Sequence, residues 1–207
     1  HIMKPEYWNK GKIYLSNNDK VLKNIIKMFP SEHLELNSNH YHALLNSIIG
    51  QQISVLAAKS IKTKFFNLHK KITPNNTLKF NESSLKNCGL SRQKILYIRN
   101  ISTFFLENKK FITNINLYDE IFIKDKLILI KGVGNWTADM FLLFSYGSSD
   151  VFPAGDLGFI KAISKSYKKK IPISQSYLER LKKRWSPYSS IATWYLWRSI
   201  DPIPIIY

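Results

Sequence analysis

The sequence predicts an all-α protein, and three observations support that fold class. Apolar residues recur at intervals of three and four positions in one segment after another, which is the period of an amphipathic helix. The segments are bounded by serines that cap helix starts and by glycines and prolines that stop helices. Alternating apolar and polar runs, which would indicate strands, are short and rare.

The N-terminal half contains four predicted helical segments. They are residues 20–29, 41–66, 82–87 and 91–108. The second segment holds one or two helices, because Gly50 marks a bend or a close contact inside it. The third stops at Gly89, so we interpret Cys88 as part of a helix end and not as a nucleophile.

The C-terminal half contains five more predicted helical segments. They cover residues 125–130, 136–146 and 158–167, a segment opened by Ser176 and a segment opened by Ser186 and Pro187. Ser176 and Glu179 have the spacing of a capping box. Pro187 suits the first position of a helix. Pro202 and Pro204 forbid further helix at the C-terminus.

Charge and cysteine content narrow the class of protein. The net charge is +17, spread along the chain, which favours nucleic acid over the two alternatives, an anionic membrane surface and an acidic protein. One cysteine excludes a disulfide framework, a four-cysteine zinc site and a cysteine-ligated iron–sulfur cluster. No apolar run is long enough to span a membrane, and residues 1–8 carry no apolar signal segment. We therefore expect a cytoplasmic protein.

The stretch "KGVGNW" predicts a tight bend between two helices. Gly132 and Gly134 tolerate a positive φ and leave room for a ligand near the backbone. Unpaired amides at such a bend, together with the helix dipole, attract a phosphate, and Lys131 adds a full charge. A plain helix–helix connection remains the alternative.

With its surroundings, this bend resembles the helix-hairpin-helix of the base-excision DNA glycosylases, the superfamily that includes endonuclease III. The matching hairpin residues are Ile130, Gly132, Val133, Gly134, Thr137 and Ala138. The family's fixed aspartate follows as Asp156 in "VFPAGDLG". The usual proline before the first glycine is replaced by Lys131, a tolerated departure.

The resemblance extends over most of the chain. "SIIGQQISVLAAKSI" is similar to the helix pair that carries the DNA wedge, and "RWSPYSSIATWYLWR" to the C-terminal helix of the 3-methyladenine DNA glycosylase II branch. It implies one glycosylase unit over residues 1–207 with two helical lobes and a cleft between them. The middle lobe is residues 40–147, with the hairpin at about 124–147, and the other lobe is residues 3–39 plus 148–207.

Asp156 is the catalytic residue that the resemblance implies. A carboxylate near the sugar stabilises the oxocarbenium character that develops there and orients water. Its place after Gly155 also suits a helix cap, which is the alternative. Lyases of the superfamily keep a lysine at the position of Trp136, so the resemblance implies a glycosylase without lyase activity.

Trp136 and Trp197 are the predicted walls of a base pocket, with Asp156 in the same cleft. A flipped, cationic purine gains stacking and cation–π attraction from indole rings. Met140 lies four positions after Trp136, on the same helix face, and is predicted to line the pocket. The other two tryptophans of the C-terminal region, Trp185 and Trp194, are predicted to be core residues.

Gln52 occupies the wedge position of the resemblance, with Gln51 as the alternative if the register differs by one. The predicted phosphate contacts are Arg92, Lys94 and Lys161. Asp139 is interpreted as a complement to the helix dipole. His40 and His42 are interpreted as surface residues, because no other residues with metal-ligand spacing accompany them.

The resulting expectation is a monomeric glycosylase that releases alkylated purines such as 3-methyladenine and 7-methylguanine from duplex DNA. It requires no cofactor and is associated with the nucleoid, and a monovalent cation at the hairpin is left open. Two alternatives remain: a glycosylase for an etheno, deaminated or oxidised base, and a non-catalytic helix-hairpin-helix protein that binds DNA.

Overall fold

A computed structural model of the chain describes residues 2–201. This part of the chain contains thirteen α-helices, one 3₁₀ helix, one π-helical turn and two strands of two residues each. The all-α prediction is therefore confirmed. The prediction for Pro202 and Pro204 lies outside the described residues. Within the described range, no helix combines the length and apolarity that crossing a bilayer requires.

The chain divides into two compact units, of which the first is built from both chain ends. It includes the residues up to Leu36 and those from Leu142 onward. Its elements are β1 (Ile2–Met3), α1 (Trp8–Asn18), α2 (Lys20–Met28), the π-helical turn (Leu142–Tyr146), α11 (Leu157–Tyr167), α12 (Gln175–Trp185) and α13 (Ser189–Ile200). The strand β2 (Leu36–Asn37), at the unit boundary, pairs with β1.

The second unit runs from Asn37 to Phe141. Its helices are α3 (His40–Gly50), α4 (Val55–Phe66), α5 (Pro74–Lys79), α6 (Glu82–Asn87), α7 (Arg92–Glu107), α8 (Lys109–Thr113), α9 (Glu120–Ile128) and α10 (Asn135–Phe141), with a 3₁₀ helix at Ile115–Leu117. The helix α7 packs against α3 and α5, and α3 also packs against α10. The apolar stripe of α7 is buried, as its period requires.

The core of the first unit surrounds α13, which packs against α1, α2, α11 and α12. Trp185 and Trp194 are buried there, so their prediction as core residues is confirmed. A buried carboxylate, Asp19, accepts hydrogen bonds from the Trp185 Nε1 (3.0 Å) and the Tyr167 hydroxyl (2.8 Å). These bonds compensate for the loss of water around the carboxylate.

Several predicted helix limits agree with the structure. The predicted segment at residues 41–66 is two helices, α3 and α4, separated by residues 51–54. The helix α6 ends where the sequence predicts, with Cys88 at its C-cap and Gly89 at a φ of +97°. The Cys88 thiol is buried and donates to the Ser84 carbonyl, and burial raises the pKa of that thiol.

Two predicted helix starts are wrong. Ser176 lies inside α12, which begins one residue earlier, and Glu179 accepts a hydrogen bond from the Gln175 side chain. Pro187 precedes α13, which begins at Ser189. The Ser189 amide donates to Asp150 Oδ1 at 3.1 Å, so a residue 39 positions away contributes to this helix start.

The two hairpin helices depart from their predicted bounds in different ways. The first helix, α9, begins at Glu120 because Asp119 caps it, with the Phe122 amide donating to Asp119 Oδ1 at 2.8 Å. The predicted helix at residues 136–146 is α-helical only through Phe141 and continues as the π-helical turn. The helix α1 is not among the predicted segments.

Candidate functional site

The turn between α9 and α10 contains the two glycines of "KGVGNW". The Val133 amide donates to the Ile130 carbonyl at 2.9 Å, which closes the turn, and the Val133 side chain is buried beneath it. Lys131 is exposed beside the turn. The turn therefore presents main chain and one cation, while its apolar residue is buried.

The two glycines have different structural roles. Gly132 has a φ of +106°, and a Cβ built on it would meet the Tyr97 ring at 2.1 Å. Gly134 lacks a positive φ, and a Cβ there would meet no atom of the described chain within 4 Å. The turn thus uses the tolerance for a positive φ at Gly132 and the room near the backbone at Gly134. The open space at Gly134 leaves its backbone accessible to an external group.

Two amide side chains, those of Asn100 and Gln51, bond to main-chain carbonyls of the turn. Asn100 Nδ2 donates to the Lys131 carbonyl at 3.0 Å. Gln51 Nε2 donates to the Gly132 carbonyl at 3.3 Å and to Thr137 Oγ1 at 2.8 Å. The Thr137 side chain is 1% exposed, so its hydroxyl stabilises the hairpin from within.

The segment of residues 51–54, between α3 and α4, contains both wedge candidates. Gln51 is half-buried and uses its side chain in the hairpin contacts. Gln52 is exposed and has a φ of +55°, a conformation that costs a non-glycine residue about 1–2 kcal/mol. Of the two, Gln52 has the side chain that is accessible to a ligand, and its role as a wedge stays a prediction.

The three predicted phosphate contacts differ in their surroundings. Arg92, at the start of α7, and Lys161, on α11, are both exposed, and their roles stay predictions. Lys94 differs from both, because its Nζ already donates to the Ile49 carbonyl (2.7 Å) and the Gln51 carbonyl (2.9 Å) within the protein, and a contact with phosphate stays a prediction. These oxygens lie at the C-terminal end of α3, where a cation complements the helix dipole.

The helix α10 carries the predicted pocket residues of the second unit. Trp136 is half-buried in its first turn, and Met140 is 1% exposed, so Met140 has little surface left for contact with a base. Asp139 forms an ion pair with Lys124 of α9 at 2.6 Å. This ion pair links the two hairpin helices, and we assign Asp139 this role in place of a complement to the helix dipole.

Asp156 is the N-cap of α11, as one of the two interpretations of the sequence requires. The Phe159 amide donates to Asp156 Oδ1 at 2.6 Å. Trp197 Nε1, from α13, donates to the same oxygen at 2.9 Å. Two donors from different helices therefore fix the orientation of the carboxylate, which a positioned catalytic group requires.

Trp197 is buried beside the carboxylate that it contacts. Its side chain is 3% exposed, and its ring lies nearly parallel to that of Phe144, with centroids 6.0 Å apart and planes at 10°. The structure thus brings Asp156 and Trp197 together within the first unit. The role of Trp197 as a pocket wall stays a prediction.

Asp201 is a second carboxyl group near Asp156 that the sequence does not single out. Burial raises the pKa of Asp201, the charge of Asp156 raises it further, and Arg198 opposes the shift. No pattern in the sequence connects positions 156 and 201, because only the packing of α11 against α13 relates them. Within residues 2–201, no group of three or more side chains suited to a metal ion is present.

Comparison with known proteins gives consistent matches. The profile of the HhH-GPD superfamily base excision DNA repair proteins matches residues 45–187. The DNA-3-methyladenine glycosylase of Saccharomyces cerevisiae is 26% identical over 196 residues, which cover 77% of this chain and 66% of that protein. DNA-3-methyladenine glycosylase 1 of Schizosaccharomyces pombe is 27% identical over 205 residues, which cover 92% of this chain and 86% of that protein.

A solved structure shares the fold. The 3-methyladenine DNA glycosylase of Schizosaccharomyces pombe, in complex with abasic DNA, superposes with a TM-score of 0.81 over 92% of this chain and 96% of that chain. The sequence identity in this superposition is 24%, so the match concerns the fold.

Proposed function

The chain belongs to the HhH-GPD superfamily of base excision DNA repair proteins, and we propose that it is a DNA glycosylase for alkylated purines such as 3-methyladenine and 7-methylguanine. It cleaves the N-glycosidic bond of a base flipped out of duplex DNA, with water as the nucleophile. The observation that carries this proposal is the Asp156 carboxylate, held by the Phe159 amide and Trp197 Nε1. The relatives named as DNA-3-methyladenine glycosylases support the choice of substrate.

The proposed chemistry needs one well-placed carboxylate. As the bond between C1′ and the base nitrogen breaks, its electron pair leaves with the base and positive charge develops on the sugar. Asp156 stabilises that charge and accepts the proton that the attacking water loses as its oxygen joins C1′. An alkylated purine already carries positive charge and leaves as a neutral base, so a second carboxyl group to protonate it is unnecessary.

The hairpin turn supports the proposal of duplex DNA as the partner. The backbone at Gly134 is open to approach, Lys131 is exposed beside it, and the whole chain has a net charge of +17. A phosphate group matches these features in charge and in its need for main-chain donors. We assign Gly132, Val133 and Thr137 to the internal support of this turn, because Val133 and Thr137 are buried and Gly132 contacts Tyr97.

Trp136 supports a glycosylase without lyase activity. An indole has no amine and forms no Schiff base with the sugar, so a reaction through this position ends at the abasic site. Its half-buried ring offers an aromatic surface on which an electron-poor base could stack.

We also propose that the protein acts as a monomer and requires no cofactor, since water and Asp156 suffice for the hydrolysis. A monovalent cation at the hairpin stays a prediction. The carbonyl oxygens of Lys131 and Gly132 accept bonds from Asn100 and Gln51, and each retains a second lone pair for such a cation.

The proposal is tested with a panel of duplexes, each containing one alkylated, etheno, deaminated or oxidised base. Base release is measured directly, and strand cleavage is measured with and without alkali. We expect release from the alkylated-purine duplexes and strand cleavage only after alkali. Cleavage without alkali would contradict the absence of lyase activity, and release only from another lesion would change the substrate class. Binding without release from any duplex would support a non-catalytic DNA-binding protein.

A further inference from the structure

We infer that Lys94 is a positioning residue for base extrusion: it fixes residues 51–54, the segment that contains the wedge candidate Gln52, against α7. The inference rests on the proposed function, because it concerns how the duplex is opened before the base is released. It assigns Lys94 a role inside the protein in place of a contact with DNA.

The Lys94 ammonium bonds to the C-terminal end of α3. Its Nζ donates to the carbonyls of Ile49 and Gln51 at 2.7 and 2.9 Å. The first belongs to the last turn of α3, and the second to the residue that caps its C-terminus. Carbonyls at a helix end have no partner within the helix, so one cation satisfies two of them. Burial lowers the pKa of Lys94, as expected for an ammonium withdrawn from water.

Gln51 also connects this segment to the hairpin. Gln51, whose carbonyl accepts from Lys94, donates its own side-chain amide to the Gly132 carbonyl and Thr137 Oγ1. Residue 51 is therefore bonded to α7 on one side and to the hairpin turn on the other. The Lys94 ammonium and the Gln51 side chain thus hold this segment to two neighbouring elements.

The backbone of Gln52 has a left-handed conformation. A φ of +55° is disfavoured for glutamine, so neighbouring contacts must hold it. The preceding residue, Gln51, is fixed by the bond from Lys94 to its carbonyl and by the bonds that its side chain makes to the hairpin. Two positions after Gln52, Ser54 is the N-cap of α4, and its Oγ accepts from the Ala57 amide at 3.2 Å. The exposed side chain of Gln52 thus projects from a backbone that is fixed at both ends.

A wedge works by occupying the space that a flipped base leaves, so its position must be set before the duplex opens. Removing the Lys94 ammonium frees two carbonyls and one end of the segment without removing a DNA contact. We therefore expect a defect in base extrusion and in the rate of base release, with little change in the initial electrostatic binding.

The salt dependence of binding separates this role from a phosphate contact. We compare Lys94→Met with Arg92→Met, which removes an exposed cation two positions earlier in the same helix. On an undamaged duplex, Lys94→Met is expected to keep the salt slope of the unsubstituted chain, whereas loss of a phosphate contact lowers that slope by about one. A slope lowered by Lys94→Met would overturn the inference.

The second measurement reports extrusion itself, by fluorescence of a 2-aminopurine beside the lesion and by the single-turnover rate of base release. Lys94→Met is expected to lower both the fluorescence change and the rate, the rate by about tenfold. Lys94→Arg, which keeps charge and donors, is expected to restore part of the loss. If Lys94→Met equals the unsubstituted chain in both signals, the inference is wrong.

Two controls keep the outcomes separate. If Lys94→Met does not fold, as judged by circular dichroism, Lys94→Gln keeps an amide donor without the charge and is held to the same criteria. If the unsubstituted chain releases no base from any duplex, the proposed function fails. If it is active and the Lys94 variants match it, only the inference fails.

Discussion

The hairpin turn in the second unit and the Asp156–Trp197 pair in the first unit are stabilised in different ways. At the hairpin, amide side chains bond to main-chain carbonyls, and the important groups are backbone atoms and the absence of a Cβ. At the pair, an indole N–H bonds to a carboxylate oxygen that also caps a helix. The hairpin is therefore sensitive to changes in backbone conformation, and the pair to changes in side-chain chemistry.

This difference separates affinity from catalysis. A backbone-lined turn suits a phosphate, which every nucleotide carries, whereas an oriented carboxylate suits one chemical step. Substitutions in the two regions should accordingly change different measured quantities.

Asp156→Asn is expected to lower the single-turnover rate of base release by about 10²–10⁴-fold, because the charge that stabilises the sugar cation is lost. The asparagine oxygen can still accept from the Phe159 amide and Trp197 Nε1, so the helix cap survives. Affinity for an abasic duplex is measured in parallel and should persist. Turnover close to that of the unsubstituted chain would remove Asp156 from its catalytic role.

Gly132→Ala is expected to destabilise the protein by about 2–4 kcal/mol, through its positive φ and the overlap of a Cβ with the Tyr97 ring. For a chain of this length, that corresponds to a fall in Tm of about 5–15 °C. Thermal unfolding followed by circular dichroism measures the effect. An unchanged Tm would mean that the turn is free to change conformation at Gly132.

Trp197→Phe is expected to lower the rate of base release by about tenfold, because Asp156 loses one of the two donors that orient it. Trp194→Phe is the matched control, since Trp194 is also buried in α13 but its ring contacts are to Trp8 and Tyr195. Comparable losses of Tm with a rate defect confined to Trp197→Phe would support the assignment. Equal rate defects in both variants would point to a general packing effect.

Gly134→Ala is expected to have the smallest effect, a loss of duplex affinity of about three- to tenfold without a large change in Tm. A methyl group at this position meets no described atom of the protein within 4 Å, so only an external partner would encounter it. Fluorescence anisotropy with an undamaged duplex measures the affinity. If Tm falls as far as in Gly132→Ala, the two glycines do not have the separate roles assigned to them.

The sequence predicts local features well and distant contacts poorly. The apolar period of α7 and the glycine stop after α6 depend on residues within a few positions, and both agree with the structure. The start of α13 depends on Asp150, and the inward direction of Lys94 depends on α3. Asp150 and α3 lie far along the chain from the residues that they contact, so no local sequence pattern predicts these contacts.

The all-α class, the family and the identity of the groups available for chemistry follow from the sequence alone, because periodicity and motifs are properties of neighbouring residues. The folded structure establishes how those groups are used. There, Lys94 bonds to a main-chain carbonyl of α3, and the Tyr97 ring leaves no room for a Cβ at Gly132. Trp197 donates a hydrogen bond to Asp156. Hydrogen bonds and steric overlap depend on distance in space, which folding sets between residues as far apart in sequence as 156 and 197.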